Sequence, residues 1–429
     1  MRQAEKGEAD MGILSEEIKK RVLLYDGSKG VMLQMGGLPG GESAEEWNLS
    51  HPEKVREVYN GYIDAGSDII QTNTFCANRP SLQNHGLAEK LYEINFEGAR
   101  LALECAEGKN VMVAASVGPT SLFFQPAGDM TFESAVGIFK EQLAPIKDAG
   151  VKIINFETFT DLNEMRAAMV AATELGELEI ISSMTFDGGR TMSGNTPQVC
   201  AVTCGAMGAA LAGANCSGGP DSLLEPINQM EQVSITPLCV KPNAGLPEME
   251  SGVAVFRQTP EDFAKLTPEF IKAGVRLIGG CCGSGPDHIR AMRRAVDAAQ
   301  CAAMPAAEKK MLASPYEVVE YTPDMQLAEM NLDVDSVRNG VAGGDFFCLM
   351  DAIPAGVDDA DAVILNFGGL KPDFDMWGFA STLGMFVKKP VIIKAGREIA
   401  QAFLRCYAGR AGILCTEECR GLYGALELQ

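Results

Sequence analysis

Between residue 20 and about residue 300 the chain alternates short apolar runs with longer stretches in which apolar positions recur at helical spacing. The short runs are Val22 to Tyr25, Ile69 to Gln71, Val111 to Ala115, Ile153 to Phe156, Ile180 to Met184, Ala210 to Ala214, Thr236 to Val240 and Leu277 to Gly279. Runs of this length, bounded by turn formers, predict strands buried on both faces. Helices are predicted between them over Pro52 to Ala65, Leu87 to Ala106, Thr131 to Ala149, Asp161 to Leu175, Asp221 to Met230 and Pro260 to Ala273. Pro52 and Pro260 suit a first helical turn, and Gly66, Gly150, Gly176 and Gly274 suit helix ends. Eight strand-helix pairs in roughly 280 residues predict an α/β chain folded as a (β/α)8 TIM-type barrel. The alternative, an open doubly wound sheet, carries a glycine-rich phosphate loop after its first strand. Here that position reads Asp26-Gly27-Ser28-Lys29-Gly30, which does not match the dinucleotide fingerprint.

A barrel places its reactive groups just past the carboxyl ends of its strands. Those positions hold Asp26, Asn73-Thr74-Phe75, Ser116-Val117-Gly118, Glu157, Thr185-Phe186, Asn215-Cys216, Asn243 and Cys281-Cys282. Adjacent cysteines cannot comfortably bridge each other, because a disulfide needs separated Cα atoms and a defined torsion. Cys281 and Cys282 therefore suit a shared partner, and Cys216, 65 residues upstream, also follows an apolar run and precedes a glycine turn. Three thiolates and one open position make a catalytic zinc site. Free cysteine is also among the most buried residue types, so core filling fits the same residues. The neighbouring polar residues are equally two-sided. Asp26 before Gly27 forms turns as readily as it binds substrate, and Asn73 and Asn243 can cap helices or tie loops. Ser116 and Gly118 suit either a turn or a backbone approach to a ligand. Lys29 reads as a solvated lysine at the mouth. The three histidines, His51, His85 and His288, flank helices, which argues against a histidine-based nucleophile system.

Residues 301–315 break the pattern with alanine, charge and two prolines, and read as a linker. Beyond them come apolar runs at Phe346 to Met350, Ala362 to Asn366, Val391 to Lys394 and Gly412 to Cys415, with a helix expected at Arg397 to Tyr407. Residues 316–429 are thus expected to form a small α/β appendage. Cys415 and Cys419 are four apart but have no nearby histidine or cysteine pair, so no metal is expected there.

Composition narrows the function. A formal net charge of −21 repels nucleic acid phosphates and anionic lipid surfaces, leaving a small molecule or a protein as partner. No apolar stretch approaches the ~18 residues of a membrane span. Residues 1–20 are charged and lack the apolar core of a signal peptide. Thirteen cysteines, an odd number scattered over a long chain, argue against a disulfide framework and for a reducing, cytoplasmic setting.

Several ordered blocks carry a resemblance. They are Tyr25-Asp26-Gly27, Gln71 to Phe75 with Ala77-Asn78-Arg79, Ser116-Val117-Gly118-Pro119, Glu157-Thr158, Gly213-Ala214-Asn215-Cys216, Lys241 to Pro247 and Gly279 to Gly283. In these blocks residues 15–300 resemble the zinc-dependent homocysteine S-methyltransferase family, on the side of the homocysteine-binding module of cobalamin-dependent methionine synthase. The resemblance implies zinc on Cys216, Cys281 and Cys282, homocysteine sulfur in the fourth position, and Asp26 and Glu157 around the substrate's ammonium group. It also brings Gly27, Asn73, Thr74, Ser116 and Asn243 to the substrate. No Asp-x-His-x-x-Gly cobalamin ligand motif occurs in the sequence, so the expected donor is a separate methylcorrinoid protein, a methylcobalamin-type donor acting in trans. A free donor such as betaine or a methylsulfonium compound, another thiol acceptor, and a barrel that binds zinc and thiol without turnover as a sensor or scaffold are the alternatives.

Overall fold

The computed structural model describes residues 12–250, 253–299, 309–414, 419 and 421–428. Eight strands make one parallel sheet: β1 Leu23–Leu24, β2 Ile69–Gln71, β3 Met112–Val117, β4 Ile153–Phe159, β5 Glu179–Met184, β6 Ala209–Cys216, β7 Leu238–Pro242 and β8 Val275–Ile278. Each pairs with its predecessor in sequence, except that β1 lies against β8, with Leu23 opposite Leu277. A parallel bridge between Tyr25 and Ile69 closes the ring. The expected (β/α)8 barrel is therefore present, with its strands where the apolar runs stood.

Strand side chains alternate between the two faces, and the burial pattern follows that alternation. Leu23, Ile69, Ala114, Ile153, Ile181, Leu211, Cys239 and Leu277 pack together inside the ring. Their neighbours Leu24, Ile70, Ala115, Ile154, Ala212, Val240 and Ile278 face the surrounding helices. The helix Ile13–Lys20 seals the amino-terminal mouth by adding Leu14 and Ile18 to the interior cluster. At Gly213 a Cβ atom would stand 1.8 Å from the carbonyl oxygen of Cys239, so only glycine lets β6 and β7 approach here. The predicted helix Pro260 to Ala273 is two short helices, Pro260–Ala264 and Thr267–Lys272, because Pro268 starts a new first turn. None of the helices among the described residues is long and apolar enough to cross a membrane.

The appendage holds five strands, β9 Leu327–Asn331, β10 Ala362–Asn366, β11 Val391–Lys394, β12 Gly412–Leu414 and β13 Leu426–Leu428, parallel and adjacent in chain order. β9 was hidden in the sequence because Leu327, Glu329 and Asn331 are exposed and only Met330 is deeply buried. The apolar run from Phe346 is a short 3-10 helix, Phe346–Ala352, which packs the Phe346 ring against Phe374 and Phe379. Residues 301–308 of the expected linker, and Cys415 of the Cys415/Cys419 pair, lie outside the described residues. Met311–Ala313 pairs antiparallel with Val318–Glu320.

Barrel and appendage are joined through Arg166, which is wholly buried on the helix Leu162–Leu175. Its guanidinium donates to the carbonyl oxygens of Arg405 at 3.0 Å, Gly409 at 3.3 Å and Leu404, at the end of the helix Arg397–Cys406. Burial lowers its pKa to about 10, and the helix carbonyls supply the negative end of a dipole in place of a carboxylate. Trp377 of the appendage also packs against the barrel, between Phe124 and Phe132. Replacing Arg166 by Met leaves those carbonyls without donors and is expected to cost roughly 3 kcal/mol, read as a lower urea midpoint, while metal content stays unchanged.

Candidate functional site

β6 runs directly into Cys216, whose φ of 61° turns the chain sharply at the barrel rim. Left-handed backbone in a residue other than glycine is strained, and such strain gathers at functional sites. β8 is followed by Gly279-Gly280 and then by Cys281 and Cys282. The turn is pinned by backbone bonds from Cys281 N to Pro242 O at 2.7 Å and from Ala244 N to Cys282 O at 2.9 Å. Asn243 Oδ1 accepts from Cys282 N at 3.1 Å. Asn243 thus ties two rim loops together.

These elements bring the three sulfurs together. Cys216 Sγ lies 3.6 Å from Cys281 Sγ and 3.9 Å from Cys282 Sγ, and all three lie within 4.8 Å of one another. Tetrahedral zinc with sulfur at about 2.3 Å requires sulfur separations of about 3.8 Å, so the trio fits such an ion. Among the described residues no other group of three histidine, cysteine or acidic side chains converges in this way. Hydrogen bonds from Cys216 and Cys282 hold the Cys281 thiol well below its ordinary value, and the same bonding pushes Cys216 up. Three soft sulfur donors held this close together suit a thiophilic cation. Asn215 Nδ2 donates to Cys281 Sγ at 3.7 Å and to Thr158 Oγ1 at 2.8 Å.

The thiols line a cavity of about 970 Å³ that also takes in Lys29, Glu157, Thr158, Lys241 and Phe256. Glu157 is nearly buried and already engaged. Its Oε1 accepts from Gln71 Nε2 at 2.8 Å and from Ser116 Oγ at 2.5 Å, while Oε2 meets Lys241 Nζ at 2.5 Å. Lys241 is 4% exposed, donates also to Gln71 Oε1, and stands 4.9 Å above the Tyr25 ring. Burial pulls its ammonium pKa down, but the charges of Glu157, Cys281 and Asp26 outweigh that and leave it raised.

Of the other expected residues, Gly27 lines the cavity, and a Cβ there would come within 2.6 Å of the Ser284 carbonyl oxygen. Asn73 also lines it, but its side chain donates to Ala44 O at 2.7 Å and to Asn48 Oδ1 at 3.0 Å. Thr74 donates to Ser116 O at 2.8 Å and is fully buried. Asp26 is also fully buried. Its Oδ2 accepts from Gln71 N at 2.8 Å and meets Lys29 Nζ at 3.4 Å, and its Oδ1 has no partner. Burial raises the Asp26 pKa, against the pull of Lys29 and Lys241. Lys29 is not the solvated lysine that its sequence position suggested. Its side chain is 10% exposed, because the helix Lys29–Met35 begins at the rim and lays it over Asp26.

Sequence reasoning assigned no role to Lys241, Gln71 or Thr158. Lys241 had a signal, since it is a charged residue inside the apolar strand Leu238–Pro242, and a buried charge needs a partner. Thr158 had none, because its φ of 66° is a property of the folded turn.

A family model described as homocysteine S-methyltransferase matches residues 23–296. Among solved structures, the metallated form of the homocysteine methyltransferase MmuM from Escherichia coli is similar at 23% identity, over 64% of this chain and 96% of that one, with a TM-score of 0.55. The oxidized form of the same protein matches at 22% identity, over 66% and 97% of the two chains, with a TM-score of 0.56.

Proposed function

The chain belongs to the homocysteine S-methyltransferase family, and from that premise we propose that it transfers a methyl group to the thiol of homocysteine, giving methionine, at a zinc ion held by Cys216, Cys281 and Cys282. The convergence of three sulfurs from β6 and the turn after β8 carries this reading. Bound there, zinc supplies a positive charge that keeps an incoming thiol deprotonated at neutral pH, where a free thiol of pKa ~8.5 is mostly protonated. The substrate sulfur attacks the donor's methyl carbon. The carbon–sulfur bond forms as the bond between methyl and donor breaks, its electron pair leaving on the donor.

The chain's own residues orient and shield. Asn215 holds Cys281 and the strained Thr158 turn in one arrangement, and Asn243 fixes the Cys282 backbone. Such supporting bonds hold ligands in place for an incoming atom. Glu157 faces the cavity and offers negative charge to the substrate's ammonium, while Ser116 and Gln71 keep its carboxylate from turning. Gly27 and Asn73 shape the wall, and Thr74 and Asp26 act from behind it.

The donor we propose is a methylcorrinoid protein that docks over the rim. Met35, at the end of the helix after β1, and Leu122, Phe123, Met192 and Leu246, on loops after β3, β5 and β7, are exposed apolar side chains. Exposed apolar side chains on the segments that follow the strands' carboxyl ends suit a protein partner. The test incubates zinc-loaded protein with L-homocysteine and, separately, a methylcobalamin-loaded corrinoid protein, betaine or a methylsulfonium compound, and measures methionine by mass spectrometry. Methionine is expected from the corrinoid arm. Turnover from a free sulfonium with no corrinoid effect overturns the docking proposal, and homocysteine binding without methionine from any donor favours a sensor or scaffold.

A further inference from the structure

The resemblance implies that Asp26 receives the substrate's ammonium, but at that wall the cavity meets a cation. Asp26 is fully buried and absent from the lining, whereas Lys29 lines the cavity in front of it. Lys29 Nζ stands 3.4 Å from Asp26 Oδ2, a long contact, and an ammonium group has three donors. Its remaining donors are available to a ligand. Glu157 lines the same cavity and is paired there with Lys241 at 2.5 Å, its Oε1 held by Ser116 and Gln71. Gln71 bonds Asp26 through its backbone N and Glu157 through its side chain, so a ligand in the cavity meets Lys29 and, beside it, the Glu157–Lys241 pair, with the thiol cluster in the same cavity.

We propose that Lys29 reads the carboxylate of the acceptor, so that the substrate class is thiols carrying a carboxylate, homocysteine among them, with Asp26 acting as the anchor that holds Lys29 in place. This rests on the thiol-acceptor reading above and names the group that the site recognises. A zwitterionic amino acid matches both groups at once, its carboxylate toward Lys29 and its ammonium toward Glu157. Charge-assisted hydrogen bonds from a side chain as buried as Lys29, 10% exposed, are worth more than their exposed counterparts, so the contact should dominate selectivity.

The test is calorimetric titration of the zinc-loaded protein and of its Lys29→Met and Lys29→Arg variants with three thiols. These are L-homocysteine, 4-mercaptobutanoate, which lacks the ammonium, and 3-aminopropane-1-thiol, which lacks the carboxylate. In the unaltered protein 3-aminopropane-1-thiol is expected to bind at least about tenfold more weakly than homocysteine. Lys29→Met is expected to weaken both carboxylate thiols about tenfold and 3-aminopropane-1-thiol less than twofold, and Lys29→Arg to keep the preference for a carboxylate. Equal weakening of all three thiols would mean that Lys29 only shapes the wall, and affinities for the carboxylate thiols within twofold of the unaltered protein would mean that it does not touch them; either overturns the proposal. Absence of binding by any thiol to the unaltered protein would instead sink the acceptor reading itself, and this inference with it.

Discussion

The Cys281→Ala protein is expected to lose its metal and its methyl transfer together. Zinc content, measured by mass spectrometry after dialysis, should fall from about one per chain to below about a tenth, and methionine formation should fall by at least about a thousandfold. The site offers three protein ligands, so one removal leaves two, below the complement that holds catalytic zinc. Cys281 Sγ lies 3.6 Å from Cys216 Sγ and takes the Asn215 Nδ2 bond at 3.7 Å, so its removal also unties the arrangement of the other two sulfurs. Cys216→Ala and Cys282→Ala should lose zinc as well, since each sulfur lies within 4.8 Å of the other two. Cys239→Ala is the control. That thiol is buried inside the barrel and bonds Ser183 Oγ at 3.4 Å, away from the trio, so its loss should cost stability and leave zinc in place. Full zinc content in the Cys281→Ala protein would refute the assignment.

The second large effect is expected at Lys241. Removing one partner of a buried ion pair leaves the other charged and unpaired, which typically costs about 3–5 kcal/mol. Lys241 and Glu157 are 4% and 6% exposed and 2.5 Å apart, so Lys241→Met should lower the urea midpoint by an amount in that range. A second change, Glu157→Gln, made on top of the first should restore much of that stability, because it removes the uncompensated carboxylate while keeping the bond from Ser116. Activity should not return with it. Glu157→Gln alone is expected to raise the homocysteine KM about tenfold with a smaller change in kcat, the signature of a lost contact to the bound substrate. An unchanged KM would remove Glu157 from the substrate, and no recovery in the double variant would show that the two side chains are not energetically a pair.

Hydrophobic periodicity alone predicted the barrel. Eight short apolar runs became eight parallel strands because a strand covered on both faces needs apolar residues on both, and that requirement is local in the sequence. The same rule explains why β9 escaped notice, since Glu329 and Asn331 on its open face interrupt the pattern. The Cys281-Cys282 pair and Cys216 were visible too, as thiols just past the ends of apolar runs, although core filling fits them equally until the rim and the ordered blocks around them are taken into account.

What the chain's order of residues determined by itself is the fold class, the rim on which reactive groups gather, and the three thiols. What only tertiary structure decided is which charges meet. Lys29 looks like a surface lysine and Lys241 like an anomaly within a strand, yet one covers Asp26 from the helix after β1 and the other reaches from β7 to Glu157 on β4. Covalent sequence sets periodicity, and periodicity sets which face a side chain takes. The distance between two charges depends on how separate strands are tilted and staggered around the ring, a relation written in no single segment.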